Sequence, residues 1–228
     1  ITLKVHKGVP LQSGMGSSAA SAVAAVVAAN ALLDEPLPIE ALLPFALEGE
    51  KFASGGLHAD NVAPSLLGGL VLCPQALLPE TVRIAAPAGV TAVLLHPELQ
   101  VNTAQARRLL KKGVSMQDWI TQQGYLAAFI AACQTDNVDL IGRTLKDIII
   151  EPQRAANVSC FDAVKRAAEN AGALGVSLSG SGPSIFALCR EGRGANLATV
   201  MQQACRADGT DCQTWISPMD AQGARLED

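Results

Sequence analysis

The 228-residue chain carries a formal charge of −4, with 49% apolar and only 17% charged residues. That balance supplies a packed core, excludes a disordered chain, and leaves no electrostatic footprint for nucleic acid or an anionic membrane. The length suits two modest domains, and an ordered, soluble protein acting on small molecules is the expectation. Six cysteines stand at positions 73, 133, 160, 189, 205 and 212, without a Cys-x-x-Cys pair or clustered histidines, so they read as buried thiols rather than a zinc site. The longest apolar run, Ala19–Ala29, is far shorter than the roughly 20 residues of a membrane span. Ile1 stands where an initiator Met would be and Thr2–Val5 alternates like the middle of a sheet, so a natural start further upstream is expected.

In chain order, Thr2–Lys7 reads as a strand, Gly8–Gly16 as a Gly/Ser loop, and Ser17–Leu33 as an Ala-rich helix stopped by Pro36 and Pro38. A second helix is predicted over Ile39–Phe52 despite Pro44, followed by a break at Ser54–Gly56 and the segment His58–Gly69. Short strands are expected at Leu70–Cys73 and Thr81–Ile84, and Pro87–Gly89 makes a natural boundary between domains 1–86 and 87–228. Beyond it come a buried-type strand at Thr91–Leu95 and helical patterns at Thr103–Leu110, Met116–Ala132, Val138–Ile149 and Phe161–Ala171. Strands Val176–Ser179 and Ser184–Cys189 flank a Gly-Ser-Gly-Pro turn, and a helix at Ala195–Ala207 leads to a strand at Gln213–Ile216. With the intervening helices merged, the second half has the β-α-β-β-α-β order of a ferredoxin-like domain.

The sharpest chemical signal is Pro10-Leu11-Gln12-Ser13-Gly14-Met15-Gly16-Ser17-Ser18-Ala19-Ala20, a glycine loop between a strand and a long helix. Its glycines let the backbone approach an anion, and the helix that follows aims N–H groups and a positive dipole end at the same place. Phosphate is the natural guest. The loop has no lysine and no G-x-x-x-x-G-K-[ST] pattern occurs, so this is not a Walker-type loop. The plainer reading is a turn capped by Ser17, its glycines needed only for packing.

Pro10–Ala20 resembles the ATP-binding loop of the GHMP small-molecule kinases, with Met15 where leucine is usual. Ser179–Ser184 resembles the glycine-rich third motif of that family. Gly56–Pro64 with Gly68-Gly69, Val101–Arg107 and Glu151–Arg154 resemble the branch that phosphorylates homoserine. The resemblance runs from Ile1 to the tail Ala221–Arg225 and lacks the family's N-terminal portion. It implies an α+β GHMP kinase fold, with a partial N-terminal domain like domain 2 of ribosomal protein S5 and a ferredoxin-like C-terminal domain. It also implies ATP and Mg²⁺ as cofactors, L-homoserine as substrate and a step in threonine biosynthesis, and it leaves a homodimer open.

The resemblance further implies roles. Ser18 and Glu50 would hold Mg²⁺ beside the ATP phosphates, as hard oxygen ligands suit that ion. His58 would line the amino-acid pocket, with Thr103, Arg107 and Arg154 on the side that receives a carboxylate; planar guanidinium groups suit that partner. Asn61 and Arg107 are the positions carried over as catalytic. Many GHMP kinases place an aspartate where Asn61 stands, and an amide cannot serve as a general base; Asp60 is the alternative. Taken alone, Glu50 reads as an exposed helix carboxylate like Glu48, Arg107 and Arg154 as surface charges, and His6, His58 and His96 as satisfied structural histidines. The rival functions are another GHMP kinase acting on mevalonate, a sugar or a diphosphocytidyl-erythritol, and a non-catalytic GHMP-fold binder. Retention of both Ser18 and Glu50 disfavours the binder.

Overall fold

A computed structural model describes residues 2–54, 58–99, 110–111 and 113–227. The chain forms two compact units, one of Ile1–Leu11, Met15–Ala85 and Asp220–Asp228, the other of Gln12–Gly14 with Ala86–Met219.

The first unit is built on three helices, α1 (Ser17–Asn30), α2 (Leu43–Ser54) and α3 (Ala59–Leu67). Their apolar residues recur at helical spacing and meet in one core: Ala19, Val23 and Val27 from α1, Leu43, Ala46 and Leu47 from α2, Ala59, Val62, Ala63 and Leu66 from α3. Each fully buried valine or leucine contributes about 1.5–3 kcal/mol. Pro44 is accommodated because a 3₁₀ turn at Ile39–Leu42 runs into α2, placing the proline in the first turn, where its missing N–H has no helical partner to lose. A Cβ on Gly49 would stand 3.0 Å from Ala22 Cβ, so α1 and α2 touch closely there. Strands β1 (Leu70–Leu72) and β2 (Val82–Ile84) pair antiparallel, Val71 opposite Arg83. Residues 2–7, read from the sequence as a strand, are exposed and pair with no strand among the described residues; alternation without a ladder partner does not make a strand.

In the second unit β3 (Val90–Pro97), β4 (Gly175–Leu178), β5 (Ile185–Arg190) and β6 (Cys212–Pro218) form an antiparallel sheet in the order β4-β5-β3-β6. Helices α4 (Met116–Gln134), α5 (Val138–Thr144), α6 (Glu151–Arg154) and α7 (Phe161–Asn170) lie between β3 and β4 in sequence, and α8 (Gly194–Ala207) lies between β5 and β6. The ferredoxin-like order is therefore present. One sheet face packs Val93, Leu95, Val176, Ile185 and Ala187 against Phe161 and Val164 of α7 and Leu197 and Met201 of α8. The helix predicted over Val138–Ile149 ends at Thr144 because Asp147 Oδ1 accepts from the N–H groups of Ile149 (3.0 Å) and Ile150 (2.7 Å), offering the backbone a turn in place of the next helical bonds. The pattern at Thr103–Leu110 falls almost wholly outside the described residues. No helix among the described residues is long and apolar enough to cross a membrane.

The tail returns to the first unit at α3. Gly69 N donates to Ala221 O (2.8 Å), Gly68 and Gln222 form a bridge, and Ala224 N donates to Ser65 O (3.0 Å). Gly68, at φ 76, closes α3, and a Cβ there would overlap Ala221 O and Gly223 N. Gly68→Ala is expected to destabilise the chain by about 2 kcal/mol or more, read as a lower urea midpoint at unchanged slope.

Candidate active site

The glycine loop enters α1 through Gly16, at φ 75 and ψ 37, and no side chain caps the helix. Its first-turn N–H groups and positive dipole end are thus presented at the loop, the arrangement that attracts phosphate. Ser17 does not act as a cap: its hydroxyl turns back to donate to Val9 O (2.9 Å). Lys7 Nζ donates to Ser17 O at 2.8 Å and lies 3.3 Å from Ser17 Oγ. A cation therefore stands at the mouth of the helix. Sequence reasoning assigned Lys7 only to a strand, although a lysine three residues before Pro10 was the available signal.

One residue into α1, Ser18 Oγ donates to Glu50 Oε1 at 3.1 Å. Glu50 is only 5% exposed, whereas the side chain of neighbouring Glu48 is 69% exposed beside Lys51. The contrast follows from phase: Leu43, Ala46, Leu47 and Glu50 share the buried stripe of α2, so the carboxylate enters the core face just past the close contact at Gly49. Burying a carboxylate is expensive unless partners compensate it. A hydroxyl and a buried carboxylate converging at an uncapped helix N-terminus are hard oxygen donors and fit Mg²⁺, which takes one or two protein ligands and fills its shell with phosphate oxygens and water. Among the described residues no group of three or more His, Cys, Asp or Glu gathers as a metal cluster.

Asn61, the third residue of α3, lies against the loop: a Cβ on Gly16 would come within 2.9 Å of Asn61 Cβ and Oδ1. His58 is half-buried as the residue preceding α3, and Asp60 is exposed beside Asn61. The loop apex is held by the Ser179–Ser184 turn. Ser179 Oγ donates to Gly14 O (2.9 Å) and Ser184 N donates to Ser13 O (3.1 Å). A Cβ on Gly14, at φ 77, would overlap Ser179 O and stand 2.8 Å from Gly182 O, so only glycine fits. Arg154 Nη1 donates to Gly180 O (2.8 Å), tying the end of α6 to the same turn. Thr103 and Arg107 lie outside the described residues, as do 55–57 of the segment before His58.

Residues 1–69 match the family of GHMP kinases N terminal domain and residues 129–207 that of GHMP kinases C terminal. A homoserine kinase of Xylella fastidiosa (strain M12) is 45% identical over 226 residues, 98% of this chain and 69% of that protein. The homoserine kinase of Chloroherpeton thalassium is 40% identical over 227 residues, 99% of this chain and 71% of its own length. The chain belongs to the homoserine kinases of the GHMP family. The crystal structure of homoserine kinase from Cytophaga hutchinsonii superposes with a TM-score of 0.91 at 42% identity, over 95% of this chain and 69% of that one. Membership makes the chain an ATP-dependent small-molecule kinase with the GHMP α+β fold; within the first unit Gly16, Ser18, Glu50 and Asn61 gather at the start of α1, and within the second the Ser179–Ser184 turn holds Ser13 and Gly14.

All six cysteines are free, and burial pushes the thiols of Cys73, Cys133, Cys160, Cys189 and Cys205 up, away from reactive thiolate. Burial pushes the His96 imidazole the other way, below its ordinary 6.5, with Glu98 opposing. The unfolded chain then binds a proton near that ordinary value that the folded chain refuses until lower pH, so stability falls as pH falls through this window. Melting temperature is expected to decline on acidification below about pH 6.5, and His96→Leu to flatten that limb of the profile.

Proposed function

We propose that this chain transfers the γ-phosphoryl group of ATP to the side-chain hydroxyl of L-homoserine, giving ADP and O-phospho-L-homoserine on the route to threonine. The observation that carries the reading is 45% identity to a homoserine kinase across 98% of the chain, joined to the Ser18–Glu50 pair at the start of α1.

Phosphoryl transfer asks chiefly for positioning and neutralisation of charge. Pro10–Ala20 would cradle the ATP phosphates with backbone N–H groups, and Lys7 adds a positive charge beside them. Ser18 and Glu50 would hold Mg²⁺, which when bound supplies charge neutralisation on the phosphate oxygens. Asn61, beside Gly16, is the side chain on α3 that borders the phosphate loop, and with His58 it would orient the acceptor hydroxyl. Thr103, Arg107 and Arg154 are proposed for the amino-acid carboxylate, and Arg107 also for a catalytic role. No general base stands at the Asn61 position, so the hydroxyl would attack unassisted and lose its proton late, to a phosphate oxygen or to water. Cytoplasmic location and a domain division at 86–87, with the tail Asp220–Asp228 returning to the first unit, complete the proposal; a homodimer is left open.

A coupled ADP-release assay with Mg-ATP tests the reaction. Turnover is expected with L-homoserine and not with mevalonate, galactose or no acceptor; equal rates with mevalonate would sink the substrate assignment. Glu50→Gln is expected to lower kcat/KM by on the order of 100-fold, and to raise the Mg²⁺ concentration needed for half-maximal rate. Absence of a base is tested separately: Asp60→Asn is expected to retain turnover, while Asn61→Ala loses at least about tenfold in kcat. The reverse pattern would make Asp60 the base.

A further inference from the structure

Neither the loop nor the metal pair uses His96, yet it is one of few buried polar side chains in the second unit. It lies near the end of β3, on the sheet face opposite Leu95 and hence away from the Phe161–Met201 core. Register puts Leu95 opposite Ile185, so the next pair across the ladder is His96 and Ser184. Their side chains meet: His96 Nδ1 lies 3.0 Å from Ser184 Oγ, with Ser184 fully buried and His96 only 9% exposed. Either atom can be the donor, as the tautomer decides.

Ser184 is also the residue whose backbone holds the loop. Its N–H donates to Ser13 O (3.1 Å) and its carbonyl accepts from Ser179 N (2.8 Å), while Ser179 Oγ donates to Gly14 O (2.9 Å). A continuous run of hydrogen bonds thus leads from the imidazole through Ser184 to the carbonyls of Ser13 and Gly14. A loop that binds phosphate through its N–H groups needs its carbonyls turned away and kept there, because a carbonyl facing phosphate repels it. Those two carbonyls are the ones this run occupies.

We infer that His96 is a positioning residue for ATP: it fixes the Ser184 hydroxyl, and through Ser184 it holds the carbonyls of the Ser13–Gly14 apex away from the phosphates. The inference rests on the kinase reading above. Removing the imidazole should therefore weaken nucleotide binding and leave the acceptor side of the reaction alone. A histidine serving only the core would instead lower the amount of folded protein, without a selective change in ATP.

The test compares His96→Leu, His96→Asn, Ser184→Ala and the double variant His96→Leu/Ser184→Ala with the parent chain. Readouts are melting temperature, direct binding of a fluorescent ATP analogue, and KM for ATP and for L-homoserine. For His96→Leu an increase of about five- to tenfold in the ATP KM and in the analogue's Kd is expected, with the homoserine KM and kcat within about twofold. Asparagine, whose amide can occupy the place of Nδ1, is expected to restore most of the ATP affinity. The double variant should be no worse than the weaker single one, since both cut the same run. If folded His96→Leu binds the analogue as the parent does, or if its effect simply adds to that of Ser184→Ala, the inference is overturned while the kinase reading stands. If His96→Leu does not fold, His96→Asn and Ser184→Ala decide: an unchanged analogue Kd in Ser184→Ala overturns the inference. A parent chain that binds no ATP analogue and turns over no acceptor overturns the kinase reading and this inference together.

Discussion

The site depends on a backbone approach at Gly14 that leaves no space for a side chain. There the loop apex lies so close to the Ser179–Ser184 turn that a Cβ would overlap Ser179 O, and two hydrogen bonds, from Ser179 Oγ and Ser184 N, use that closeness to fix the carbonyls of Gly14 and Ser13. Fixed carbonyls imply fixed N–H groups on the other side of each peptide plane. A phosphate can then be met by donors already in place, and the ordering cost falls on folding rather than on binding.

The second constraint is electrostatic. Glu50 occupies a position in the stripe of α2 where its neighbours in phase are Leu43, Ala46 and Leu47. A carboxylate in that stripe weakens a core that an alanine or leucine would serve better, by several kcal/mol if nothing compensated it. Glu50 Oε1 accepts from Ser18 Oγ at 3.1 Å on the first turn of α1, where Mg²⁺ is proposed. Helix packing makes the meeting possible: with no side chain at Gly49, α2 lies close to Ala22, one turn along α1 from Ser18.

Phosphoryl transfer explains why so little conventional acid–base chemistry is visible. Around the start of α1 the first unit has hydroxyls, one buried carboxylate, an amide at Asn61 and a cation at Lys7, a set suited to holding charge in place. Asn61 touches the loop near Gly16, where an amide can orient a hydroxyl without competing for its proton.

Much of this was legible in the chain itself. Strand, glycine-loop and helix patterns depend on local rules, and so the helix from Ser17, the paired strands β1 and β2 and the β-α-β-β-α-β order could be read from composition and spacing. The family resemblance added Ser18, Glu50 and Asn61, which no local rule would have singled out: Glu48 and Glu50 differ only in their phase against the apolar stripe. What the tertiary structure alone decided were encounters between residues distant in sequence. These are Lys7 on Ser17, Arg154 on Gly180, the tail around Gly223 returning to α3, and His96 across the ladder from Ser184. The early strand at Thr2–Lys7 and the long helix to Ile149 failed for the same reason. Whether an alternating or periodic segment becomes a strand or a helix depends on a ladder partner or on a competing side chain such as Asp147, and neither is written into the segment itself.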